Sequence, residues 1–440
     1  MNIHKTSLPN THLKRNRWLL AIAIISIATL LVGISIAAFA LLRSHHSSQA
    51  APPPGRWVQV LNGFSVNAPV AAPGDRSVLY ACASHRTLGT PTSTRVPVAI
   101  YTVLRSNDFG THWQNVGEKL NLVVLCNIAI DPHDANNLYV AGESTNFPPP
   151  DGQRMGVLMH STDGGESWSV IHPMLKRAGE ASAKPWYVEE VALAGNSFFG
   201  LTFQTGDGLA SSADGGRNWN VPQGHFSNPQ QGIYSYAVDP AHPGTIYELV
   251  DNFWSAAPSL NSVELYKTSD GGTTWQRLRN DVPLGNQVYL ASDKPQIVYM
   301  IGALGPLHLS TSGPPRAHPQ QRIGFNLQVS TDAGTSWRDV LIPEQLSEAE
   351  HWAVAPDGRV YAYDGECTSE SSVQPAATPG VHCTSALESY DPLTNKWTQL
   401  PSPPAQGIFL GATPTGPASA TAVWFMGRTN EEVTLYRYVA

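Results

Sequence analysis

Five stretches of this chain repeat one arrangement of side chains: Ser106-Asn-Asp108-Phe-Gly110-Thr-His-Trp113, Ser161-Thr-Asp163-Gly-Gly165-Glu-Ser-Trp168, Ser212-Ala-Asp214-Gly-Gly216-Arg-Asn-Trp219, Thr268-Ser-Asp270-Gly-Gly272-Thr-Thr-Trp275 and Ser330-Thr-Asp332-Ala-Gly334-Thr-Ser-Trp337. The chemistry of S/T-x-D-x-G-x-x-W is that of a turn. The carboxylate accepts backbone N–H groups just ahead of it, and the glycine supplies the positive φ that a tight reversal needs. Elsewhere, Glu189 or Glu190 with Asp251 or Glu264 supplies carboxylates that could pair as acid and base, at a separation the sequence does not give. Phosphate-cradling loops, His/Cys metal spacings and nucleophile elbows are missing, so neither a metal nor a cofactor is expected. His45-His46 reads as linker.

The elements that carry these turns follow from the flanks. A strand-like run precedes each copy, such as Ala99–Val103 or Val263–Tyr266. Trp and a short apolar stretch follow it, as in Trp113–Val116 or Trp337–Val340, so each unit is a β-hairpin whose Trp packs on a neighbouring sheet. The aspartates stand 55, 51, 56 and 62 residues apart, a period that marks a solenoid or a propeller. The pattern resembles the Asp-box (BNR) repeat of sialidase-like β-propellers. That resemblance implies structural roles for Asp108, Asp163, Asp214, Asp270 and Asp332, away from any catalytic centre.

A second motif of strand, turn and strand alternates with the first. It occurs at Val70–Tyr80, Ile128–Val140, Val191–Phe199, Tyr236–Tyr247, Leu290–Tyr299, Trp352–Tyr361 and Leu410–Trp424. Those seven units face five aspartate turns, with Ser389–Trp397 as a degenerate sixth that has a kelch flavour. The chain ends in a strand, Val433–Val439, with no Trp strand after it, whereas Arg56-Trp57-Val-Gln-Val60 is a Trp strand with no turn before it. The expected fold is therefore all-β: one seven-bladed β-propeller over residues 56–440, its N-terminal strand closing the last blade. Trp57, Trp113, Trp168, Trp219, Trp275, Trp337 and Trp397 would then hold one equivalent position each. Six or eight blades are the alternatives, because the regular repeat weakens after Trp397.

The N-terminus reads as a membrane device. Residues 18–42 carry no charge, and at 1.5 Å per residue they reach about 37 Å, enough to cross a bilayer core of about 30 Å. Lys5, Lys14, Arg15 and Arg17 precede the run and only Arg43 closely follows it. The positive-inside rule makes 1–17 a cytoplasmic tail, 18–42 a transmembrane signal-anchor helix and 43–55 a Pro/Ser linker to an extracytoplasmic body. A cleaved signal peptide ending near Ala38-Phe39-Ala40 is the alternative. Outside the membrane, four cysteines favour two disulfides, Cys82 with Cys126 and Cys367 with Cys383, over buried free thiols. A net charge of −7 leaves no basic surplus for a nucleic acid, and 42% hydrophobic residues exclude disorder for the bulk.

In a propeller the aspartate turns and the short Asp-Pro turns share one face. The opposite face takes the long segments 84–97, 143–156, 252–261, 303–324 and 365–386, joined by the connections 172–189 and 224–235. The expected contact residues there are Phe147, Trp186, Tyr187, Phe253, Trp254, His308, Arg316 and Arg322, aromatics beside guanidinium groups that suit a protein or glycan surface. The sialidase resemblance would imply three Arg around a sugar carboxylate, a Tyr/Glu nucleophile pair, an Asp acid/base and an F/Y-R-I-P segment. The inner-strand stretches hold no Arg, and the nearest match, Thr94-Arg95-Val96-Pro97, sits in a loop a strand pair too late. The plan also looks like the seven-bladed photosystem assembly and stability factors, which bind proteins. The expectation is a membrane-anchored binding module, with a sialidase-like or other glycoside hydrolase as the alternative.

Overall fold

The computed structural model describes residues 55–85, 100–117, 126–142, 157–177, 180–186, 190–194, 197–201, 209–221, 232–251, 262–283, 286–304, 324–346, 351–369, 381–405, 407–414, 420–429 and 432–439, with positions 120, 188 and 349. The chain divides into Met1–Ala51 and Pro52–Ala440, and the proposed membrane span lies in the first unit, outside the described residues. Among the described residues, no helix is long and apolar enough to cross a membrane.

Seven sheets form seven blades, each built on four antiparallel strands. From the inner strand outward, blade 1 holds Val70–Ala72, Asp75–His85, Ile100–Ser106 and Gln114–Asn115, with Ser65–Val66 also on its inner side. Blade 2 holds Asn127–Asp131, Asp134–Gly142, Val157–Ser161 and Ser169–Ile171. Blade 3 holds Glu190–Ala194, Ser197–Leu201, Ala210–Ser212 and Asn218–Asn220. Blade 4 comprises Gly232–Val238, Ile246–Asp251, Ser262–Thr268 and Gln276–Pro283, and blade 5 comprises Asn286–Leu290, Val298–Leu304, Gly324–Ser330 and Arg338–Asp339. Blade 6 comprises His351–Val354, Val360–Ser369, Val381–Asp391 and Lys396–Gln399. Blade 7 takes Gly407–Pro414, Thr421–Thr429 and Glu432–Val439, and its outer strand is Trp57–Asn62 from the other end of the chain. That ribbon pairs Trp57 with Tyr438 and Asn62 with Thr434, so the ring closes by strand exchange.

Each interface between blades has its own apolar core, and one Trp of the repeat lies in each. Trp57 packs with Tyr363, Phe425 and Tyr438, Trp113 with Trp424 and Leu435, and Trp168 with Val103 and Val116. Trp219 packs with Leu158, Trp275 with Phe199 and Leu209, Trp337 with Tyr247 and Leu278, and Trp397 with Val340 and Ile342. The repeated glycine is explained by the same contacts. Gly110, Gly165, Gly216 and Gly334 have φ of 80 to 96°, and a Cβ on any of them would collide with the previous blade, with Trp424, Val116, Leu158 and Leu278 respectively. The residue before that glycine also has positive φ, yet Phe109 and Ala333 occupy it at 58°.

Blade 3 departs from the pattern. Met174–Lys176 adds in parallel to Asn218–Asn220, and Lys184–Pro185 pairs outside it, making a six-stranded sheet. The expected binding connection between blades 2 and 3 thus becomes a rim. Trp186, read from the sequence as a loop contact, is 4% exposed and packs edge-on against Trp219 at 5.2 Å. The driving force is apolar burial: Leu175, Trp186 and Val188 cover Trp219, the one Trp of the seven that is fully buried.

Candidate functional site

The five aspartates are consumed by their own turns. Asp163 Oδ1 accepts the Ser167 N–H at 2.9 Å and the Ser161 hydroxyl at 2.8 Å, and Oδ2 accepts the Ser167 hydroxyl at 2.5 Å. The Ser161 oxygen in turn accepts the Gly165 N–H at 2.8 Å. Asp108, Asp214, Asp270 and Asp332 repeat this with His112, Asn218, Thr274 and Ser336 as the second donors. These bonds favour the ionised form: the Ser167 hydroxyl and N–H hold Asp163 at about 2, and Thr274 and Ser336 do the same for Asp270 and Asp332. Burial pushes Asp108 and Asp214 up, but the N–H and side-chain bonds from His112 and Asn218 outweigh it and leave both lowered. Saturated carboxylates of this kind are poor acids or bases at neutral pH. A side-chain donor precedes the Trp in all five copies, a signal that the sequence reading passed over.

A second set of bonds ties neighbouring blades together on the same face. Arg105 of blade 1 donates to Asn136 Oδ1 at 2.8 Å and to the Gly164 carbonyl at 3.4 Å in blade 2. Lys267 of blade 4 donates to the Ala333 carbonyl of blade 5 at 3.1 Å. Arg437 of blade 7 donates to the Phe109 carbonyl and, at 3.2 Å, to the Thr111 hydroxyl of blade 1. Gly164, Ala333 and Phe109 hold the same place in their turns, and each cation stands opposite an aromatic on the adjacent strand: Tyr80, Tyr247 and Trp424.

The described cavity lies on the axis, at the mouth of the channel enclosed by the inner strands. Its volume is about 420 Å³. Prolines at or just past the ends of five inner strands form a collar around it: Pro73, Pro132, Pro240, Pro356 and Pro414. Val70, Leu290, Val354 and Ala412 make up much of the remaining wall. Two charged residues line it, Arg76 of blade 1 and Asp293 of blade 5, joined Nη2 to Oδ2 at 2.6 Å across the opening. These blades are not neighbours, so the pair spans the mouth. The cavity opens on the face of the short turns, opposite to the one the sequence reading favoured. Its signal in the sequence, a proline after the inner strand, is plain only at Asp131-Pro132 and Asp239-Pro240.

Of the expected contact residues, Phe147, Tyr187, Phe253, Trp254, His308, Arg316 and Arg322 lie outside the described residues. Cys82 and Cys126 form a disulfide between blades 1 and 2. Cys367 and Cys383 stand directly opposite one another in the strand register of blade 6. Among the described residues, no group of three or more His, Cys, Asp or Glu side chains gathers as a metal site.

Fold and cavity together define a seven-bladed β-propeller with a proline-collared axial mouth. No protein-family model matches the chain, and no curated protein matches it. Among solved structures, hydrazine synthase of Kuenenia stuttgartiensis aligns at a TM-score of 0.50 and 10% identity, over 88% of this chain and 97% of that one. YCF48 from Cyanidioschyzon merolae aligns at 0.48 and 14% identity, over 87% and 98%. The GH74 xyloglucanase of Xanthomonas campestris aligns at 0.34 and 18% identity, over 88% of this chain but 46% of that enzyme. Likeness at these identities concerns the fold alone.

Proposed function

We propose that the chain is a membrane-anchored, extracytoplasmic Asp-box propeller that binds a protein or glycan partner through the face opposite its aspartate turns. In this reading residues 18–42 anchor the chain, 1–17 stay in the cytoplasm, and a second disulfide joins Cys367 to Cys383. The observation that carries the binding role is the segregation of chain length. The turns on one face are short and tied, whereas the second strands of blades 1, 2, 4, 5 and 6 end on the other face before the segments 86–99, 143–156, 252–261, 305–323 and 370–380. Phe147, Phe253, Trp254, Arg316 and Arg322 lie in these segments, and long connections on a folded scaffold are where recognition residues belong. Saturation of the five turn aspartates argues against chemistry on the turn face.

The test is cross-linking on intact cells followed by partner identification, with 252–261 and 305–323 each replaced by Gly/Ser segments of equal length. The reading expects capture of the partner to fall while the melting temperature stays unchanged. Capture that survives both replacements, or turnover of fluorogenic glycosides by the purified chain, would overturn it. Protease added to intact cells should degrade the propeller and spare the N-terminal tail; the reverse pattern would refute the orientation.

A further inference from the structure

The axial cavity holds a pair of charges that join two blades with no other need to meet. We propose that it is a binding site for a zwitterionic apolar ligand, an α-amino acid with a hydrocarbon or aromatic side chain. The ligand carboxylate takes Arg76, its ammonium takes Asp293, and its side chain enters the collar of Val70, Leu290, Val354 and Pro356.

The geometry supports each part of that match. Arg76 and Asp293 are 30% and 35% exposed, and they meet through one Nη2–Oδ2 contact at 2.6 Å rather than a forked pair. A guanidinium carries five N–H donors, so Arg76 retains donors to offer. An ion pair this exposed contributes little to the fold, so parting it costs little. The two side chains come from different blades and can separate without moving a strand. A ligand with both charges replaces each partner, while a simple carboxylate or amine would leave Asp293 or Arg76 uncompensated. Apart from the pair, Ser292 and Thr413, the lining is apolar, and the prolines that shape it are fixed in φ, which lowers the ordering cost of binding. A volume of about 420 Å³ falls within the range of small-molecule pockets. This inference uses neither the membrane anchor nor the long segments, so it stands or falls apart from the binding role proposed above.

The test is calorimetric titration of the full-length chain, in an uncharged detergent, with L-leucine, glycine, N-acetylleucine and leucine amide. Leucine is expected to bind, and the two blocked forms and glycine to bind at least about tenfold more weakly. Arg76→Met and Asp293→Asn should each weaken leucine by a similar factor, and the charge-reversed pair R76D/D293R should restore it. A merely structural ion pair would also regain stability on reversal, but it would show no leucine binding to restore. Absence of leucine binding, equal binding of the blocked forms, or indifference to both substitutions would overturn the proposal. If the single variants fail to fold, the comparison of leucine with its blocked forms on the unaltered chain decides the matter.

Discussion

Blade 1 has two neighbours, and the chain joins them to it by different means. On one side lies blade 2, its successor in sequence. That junction carries the Cys82–Cys126 disulfide, and Arg105, still partly exposed, reaches Asn136 and the Gly164 carbonyl. On the other side lies blade 7, formed by the two ends of the described chain, and no disulfide crosses that junction among the described residues. Arg437 occupies the place of Arg105 there, but it is 1% exposed; its two terminal nitrogens bond Phe109 and Thr111, and its Nε lies buried without a partner. Trp424 stands where Tyr80 stands, fully buried and edge-on to Trp113 at 6.0 Å. A junction between consecutive blades forms with a short loop to close. The junction that completes the ring must bring distant chain ends together, and there the bonding Arg is buried and a Trp takes the place of the equally buried Tyr80.

The comparison can be broken at several points. The largest effect is expected from Cys82→Ser with Cys126→Ser: a separation of 44 residues corresponds to about 4 kcal/mol on the chain-entropy relation. Urea unfolding with and without reductant would measure it, and an unchanged midpoint would show that packing alone holds blades 1 and 2 together. Next comes Arg437→Met, expected to cost about 2–3 kcal/mol by leaving the Phe109 carbonyl without its charged donor. Arg105→Met, at the equivalent but wetter place, should cost about 1 kcal/mol or less. Equal losses would erase the distinction between the two junctions. Of similar size is Asp108→Asn, at about 1 kcal/mol, because the amide keeps the turn geometry but loses the charge-assisted bonds from His112.

The mildest perturbation is acid. Asp163 lies at about 2 in the folded chain against 3.8 unperturbed, and Asp108 is lowered in the same direction. A lowered carboxylate stabilises the fold fully above its unfolded value and loses that contribution as pH falls through the folded one. The turn of blade 2 should therefore weaken between about pH 4 and pH 2, and that of blade 1 in the same direction as pH falls below the ordinary carboxylate range, which melting curves in acid would follow. Weakening of either turn near pH 6 would contradict the assignment.

Much of this fold could be read from the residues. The aspartate turns are local chemistry, with donor and acceptor within about five positions, so each copy announces itself. The strand Trp57–Asn62 could be placed because a Trp strand without a turn and a C-terminal strand without a Trp need one another. Trp186 could not be placed: an aromatic in a long connection looks the same whether it faces water or covers Trp219, and only the parallel addition of Met174–Lys176 decides it. The proline collar was half legible, since an Asp-Pro turn is recognisable singly while its convergence with Pro73, Pro356 and Pro414 is not.

Sequence alone determined what depends on neighbours along the chain: the turns, the glycines and the alternation of strands, with seven blades as the leading count and six or eight left open until the sheets were seen. Tertiary structure decided what depends on residues hundreds of positions apart. It set Arg437 against Phe109, drew Arg76 to Asp293 across the axis, and gathered the turns of six blades into one mostly apolar mouth. Hydrogen bonds within a turn are fixed by covalent spacing, whereas contacts across a closed ring exist only after every blade has taken its place.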